Sequence, residues 1–201
     1  MNFLLRASSY ILHPLLMPLL GTLIYFGMTP RYVEWEVVQA KGFAVAIITI
    51  FIPIVTFFLL KNMNVVDTIH LKTAKERKVP LMLQCVLLLL IIKLVFDPYE
   101  TPELNYFFVG ILFSAMTALV MVFFSIKISL HQMGIAGITM FLIALSIHFK
   151  INMLLWIALF FLLNGLVASA RLQAEAHTYQ ELSFGFCIGL LPQLILLNFW
   201  L

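Results

Sequence analysis

The stretch Ser169-Ala170-Arg171-Leu172-Gln173-Ala174-Glu175-Ala176-His177-Thr178-Tyr179-Gln180-Glu181 holds the densest set of side chains able to do chemistry. It lies between two long apolar runs. An arginine, a histidine and two carboxylates at a bilayer edge are costly to keep there, which points to function. With a helix through His177, Glu181 falls one turn on and on the same face. A carboxylate in that place holds one ring nitrogen and fixes the tautomer, leaving the other nitrogen as a nucleophile or base. Arg171, about two turns earlier, is placed to hold an anion beside the ring.

Two further stretches carry reactive groups. Ser125–Gly137 brings Lys127, Ser129 and His131 between two apolar runs, and Gly134 and Gly137 allow a helix or a ligand head group to approach closely. Residues 67–80 are the most basic, with His70, Lys72, Lys75, Arg77 and Lys78. Such a cluster marks either a cytoplasmic loop or a phosphate cradle with Lys72 and Arg77 turned into the bundle. His13 precedes the first of two prolines, Pro14 and Pro18, whose spacing frees backbone carbonyls that a neighbour or water must satisfy. It reads as a ring packed at a kink or as one facing a polar cavity.

The elements that must position these groups are membrane helices. The chain of 201 residues is 63% hydrophobic and 10% charged, with a mean hydropathy of +1.08; soluble domains carry roughly 25% charged residues. Seven apolar runs fit spans, at about 8–28, 43–61, 79–96, 105–126, 129–148, 152–169 and 182–200. Short connections make residues 1–201 one membrane domain. The first run contains two prolines and lacks a small-residue cleavage site, so it reads as a span and not a signal peptide. A net charge of +3, dispersed along the chain, gives no footprint for nucleic acid. Cys85 and Cys187 sit in apolar runs without ligand spacing and read as small buried hydrophobes.

Between the spans, Thr29–Gly42 (with Arg31, Tyr32 and Trp35) and the His148–Lys150 pair read as interfacial. Asp97–Glu103 reads as a proline-broken acidic turn. Asn152 and Asn164 are candidates for hydrogen bonds between helices, Pro53 should kink the second span, and Gly185 and Gly189 form a packing face. With seven spans, the three reactive stretches follow the second, fourth and sixth, and so emerge on one side of the membrane.

These stretches resemble the type 2 phosphatidic acid phosphatase (PAP2) superfamily, membrane lipid phosphatases that share a fold with vanadium haloperoxidases. The family's third motif (Ser-Arg, five residues, His, three residues, Asp) is similar to Ser169, Arg171, His177 and Glu181. Its second, Pro-Ser-Gly-His, resembles Ile128-Ser129-Leu130-His131, with isoleucine and leucine in place of proline and glycine. Its first (Lys, six residues, Arg-Pro) is represented by Lys72, Arg77 and Pro80 at altered spacing. The likeness covers about residues 70–190, and His13–Pro18 with Lys127–Gly134 is similar to a divergent bacterial branch.

The resemblance implies an all-α, polytopic membrane helical bundle of six to seven transmembrane helices with a PAP2-like core. It implies a lipid phosphate or pyrophosphate phosphatase of the bacterial inner (cytoplasmic) membrane, without cofactor or metal. His177 would be the nucleophile that forms a phosphohistidine, oriented by Glu181. His131 would protonate the leaving oxygen and then activate water. Arg171, Arg77 and Lys72, with Ser129 as a further donor, would hold the phosphate oxygens. The partners are the lipid bilayer and a membrane lipid substrate such as undecaprenyl pyrophosphate, phosphatidic acid or phosphatidylglycerol phosphate.

Other classes stay open. A catalytically inactive PAP2-like protein would bind or translocate a phospholipid or prenyl-phosphate head group with the same residues. A phosphotransferase would pass the group to another lipid. A transporter or channel with a midplane site would carry its charges in mid-helix, whereas here they gather at helix ends.

Overall fold

The computed structural model describes residues 3–65 and 74–201; Lys72 and His70 lie outside these. The described residues form helices and no strand: α1 (Phe3–Ile11), α2 (Met17–Met28), α3 (Trp35–Ala46), α4 (Ile52–Asn62), α5 (Ala74–Leu94), α6 (Pro102–Phe123), α7 (Leu130–Phe149), α8 (Leu154–Gln173) and α9 (Tyr179–Leu196). A π-turn, Ile47–Phe51, joins α3 and α4 into one rod. Five described helices are long and apolar enough to cross a membrane: Trp35–Asn62, α6, α7, α8 and Tyr179–Phe199. The chain is an all-helical integral membrane protein. α5 is also long, but its first turns carry Glu76, Arg77 and Lys78.

Proline chemistry explains where the structure departs from the apolar runs. The run at 8–28 is not one continuous helix. Pro14 offers no N–H to the turn before it, so α1 ends at Ile11, and α2 restarts at Met17 with Pro18 in its first turn. Pro53 likewise cannot donate to Thr49. The helix answers with a wider turn in which Ile52 N–H reaches Ile47 O, while Thr49 Oγ1 donates to Val45 O at 2.9 Å. The second span begins earlier than expected, at Trp35, so much of the Thr29–Gly42 stretch is helical.

α7 is the centre of the bundle, flanked by α6, α8, α9 and α2. Lipid tails are as apolar as leucine, so helices associate here by close packing. Gly185 faces Ser129 O, and Gly189 faces the Met133 backbone so closely that an added Cβ would collide with it. Gly134 lies against Met17 and Pro14, so the partner it admits is a helix. Asn164 of α8 does bridge helices, donating to Thr139 Oγ1 at 2.8 Å and accepting from Gln132 Nε2 at 2.9 Å. Asn152 does not; it accepts from Leu154 N–H at the start of α8. Cys187 faces outward and is not a buried filler.

Candidate functional site

α6 and α8 end alike. Ser125 (φ 61°) and Glu175 (φ 50°) adopt left-handed backbone conformations, and each is followed by the paired C-cap bonds that stop a helix sharply: Ser125 N to Val122 O with Ile126 N to Met121 O, and Glu175 N to Leu172 O with Ala176 N to Arg171 O. Two residues beyond each left-handed residue stand Lys127 and His177. Lys127 Nζ donates to Ala176 O at 2.7 Å and ties the two linkers together. Ser129 N–H donates to Glu181 O at 3.1 Å, locking the start of α7 to that of α9.

His177 is not within a helix. Thr178 is the N-cap of α9, its side chain accepting Glu181 N–H at 3.3 Å, while Glu181 Oε2 accepts Thr178 N–H at 3.4 Å. This is a capping box, with His177 on the residue before it. Glu181 Oε2 also lies 2.6 Å from His177 Nδ1. A carboxylate accepts, so the neutral ring carries its proton on Nδ1, and Nε2 keeps the lone pair.

The His177 side chain is 5% exposed. Burial pushes its imidazole below the ordinary value, to about 4; Glu181 works against this, and the charges of Arg77 and Lys127 work with it. The ring is therefore neutral at physiological pH, the form a nucleophile needs. Burial also lowers Lys127; Glu181 opposes that shift, and Arg77 and Arg171 add to it. An open cleft of about 350 Å³ lies against Lys127, Glu175, His177, Thr178 and Glu181.

Behind it, His131 and Arg171 meet the end of α1. His131 Nε2 is 3.1 Å from Ser9 O and 3.4 Å from Arg171 Nη1. A carbonyl only accepts, so the shorter contact places the proton on His131 Nε2. That nitrogen then has no lone pair for Arg171. Arg171 Nε is also buried with no hydrogen-bond partner among the described residues, so the guanidinium presents an unfilled donor. Buried donors in that condition are rare and suit an anion. The His13 ring lies edge-on to His131, 5.1 Å between centroids.

The structure thus gathers Arg77, His131, Arg171, His177 and Glu181 at one end of the bundle. Arg77 is buried and donates to Ile128 O at 2.7 Å, holding the α6–α7 linker. Ser129 is fully buried and caps α7, its hydroxyl accepting Gln132 N–H. Lys72 lies outside the described residues. Lys127 and His13 join the cluster without having been singled out as site residues. A lysine two residues before the Ser129 cap was the available signal for the first; the prolines beside His13, which allowed a ring facing a polar cavity, were the signal for the second. Among the described residues, no three His, Cys, Asp or Glu side chains converge as a metal site would require.

The opposite end holds a cluster that the sequence concealed. Glu103, expected in a mere turn, begins α6 and is fully buried. It pairs with Arg31 Nη2 at 2.8 Å and His148 Nε2 at 3.0 Å, and it accepts from Tyr25 OH at 3.1 Å. Arg31 and His148, read as interfacial, are thus also clamped to a buried carboxylate. With both oxygens fully engaged, this cluster fastens α2, α6 and α7 together.

No protein-family model matches the chain, and no curated protein or solved structure matches it.

Proposed function

We propose that the protein is a metal-independent lipid phosphate or pyrophosphate phosphatase, a PAP2-like bundle of six to seven spans in the bacterial inner membrane, working through a phosphohistidine on His177. The observation that carries the reading is the 2.6 Å contact between His177 Nδ1 and Glu181, which leaves Nε2 as a nucleophile beside cationic side chains at head-group depth.

The chemistry follows from those positions. His177 Nε2 attacks phosphorus, and the imidazolium formed is stabilised by Glu181. Arg171, with its unfilled Nε donor, and Lys127 hold the equatorial oxygens, and Arg77 adds charge from behind the linker. As an imidazolium, His131 gives its Nε2 proton to the leaving oxygen and becomes neutral, and the neutral ring then takes a proton from the water that releases phosphate. Short linkers leave the phosphate at the bundle's end and the tail among the helices, which favours a lipid over a soluble ester.

A second reading, a catalytically inactive protein that binds or moves a lipid phosphate, is favoured by one observation: His131 Nε2 is engaged by Ser9 O. Phosphate release in EDTA from a panel of lipid phosphates and pyrophosphates separates the two. Release that disappears in His177→Ala supports the phosphatase; tight lipid-phosphate binding without release supports the binder.

A further inference from the structure

Ser9 lies in the last turn of α1, where helix carbonyls lack an intrahelical donor. Pro14 has no N–H to give Tyr10 O, so the helix stops before it, and the His131 imidazole supplies a donor to Ser9 O, 3.1 Å away. The negative end of the α1 dipole therefore points at His131 and Arg171. These are the donors that the proposed reaction needs for phosphate and leaving group.

We propose that α1 is a displaceable cap on the site. Its Ser9 carbonyl occupies the place of a lipid phosphate's leaving oxygen, and the break from Leu12 to Leu16 is the hinge on which it lifts. This rests on the phosphatase reading and adds the control of access to it. Three observations carry it. His131 has one proton on Nε2 and cannot give it to a leaving oxygen while donating to Ser9 O, so the two acceptors exclude one another. Beyond Leu12 N–H, which still reaches Ser8 O, the break is spanned by local turns, Leu16 N to His13 O at 2.9 Å, Met17 N to Pro14 O at 3.3 Å and Leu15 N to His13 Nδ1 at 3.3 Å. α1 packs chiefly on α8, with Tyr10 and Ile11 facing outward, while Leu12 at the hinge stays seated in the core. His13, edge-on to His131 in the capped state, sits on the hinge and withdraws when the cap lifts.

The test is a spin-label distance between Tyr10→Cys and Phe124→Cys, both exposed positions, in full-length protein carrying Cys85→Ala and Cys187→Ala. The probe is orthovanadate, with vanadium NMR reporting its binding. The cap predicts a shift to a longer distance when vanadate binds. It also predicts the longer population without any ligand in His131→Phe, where Ser9 O has lost its donor. An unchanged distance with vanadate bound would overturn the cap and leave the phosphatase reading standing. Failure of vanadate to bind at all would remove the anion site itself, and the cap with it.

Discussion

One carboxylate oxygen, Glu181 Oε2, accepts both from His177 Nδ1 at 2.6 Å and from the backbone N–H of Thr178 at 3.4 Å. The orientation of the proposed nucleophile is thus built on a helix cap. Glutamate suits the third helical position of a capping box, so it fits here where the resemblance has an aspartate.

Cap and catalysis can be separated, because glutamine also serves a capping box. Glu181→Gln should keep the melting temperature close to wild type while phosphate release falls by about 100-fold or more, as when a histidine loses its orienting carboxylate. Glu181→Ala should show the same loss of activity and also lose about 1 kcal/mol of stability. Thermal unfolding and turnover measured on both variants check this.

Burial holds the His177 ring neutral down to about pH 4 in the folded protein, whereas an unfolded chain takes up that proton near 6.5. Between those values the unfolded state binds more protons, so stability falls as the pH falls from about 6.5 towards 4. The melting temperature of His177→Gln should depend less steeply on pH across that window than wild type. Equal slopes would contradict the assignment.

At the other end, Glu103→Ala leaves Arg31, His148 and Tyr25 without their shared acceptor. Losing the shared acceptor of these hydrogen bonds costs about 1–3 kcal/mol, since Arg31 is half-exposed and is solvated when freed. The expected result is a drop in melting temperature, with turnover per folded molecule unchanged because the proposed site lies at the opposite end of the bundle.

The seam between α7 and α9 should be as sensitive. A methyl at Gly189 meets the Met133 backbone, whereas one at Gly27 meets nothing within 4 Å. Gly189→Ala should destabilise by about 1–3 kcal/mol and reduce activity by shifting Glu181 relative to His131. Gly27→Ala should be close to neutral. Unfolding midpoints of the two variants compare them directly.

The helices were legible because bilayer-length apolar runs leave few alternatives. The His177–Glu181 pair was legible from its spacing, although the physical reason differs: a helix through His177 and a capping box beginning at Thr178 both bring those side chains together. The Glu103 cluster was hidden because its partners lie 72 and 45 residues away, at Arg31 and His148, and tertiary packing alone joins them. The polar-cavity reading of His13 was legible from its prolines, but its partner His131, 118 residues on, was not.

The central claim is a covalent phosphate on His177. The most direct measurement is rapid quenching of the wild type with a radiolabelled lipid pyrophosphate, followed by a search for protein-bound label that survives alkali and is lost in acid, as a phosphoramidate is. The account predicts such label on the peptide carrying His177, formed before phosphate is released and missing from His177→Ala. Steady product formation with no label ever on the protein would contradict it and place the attack on water instead.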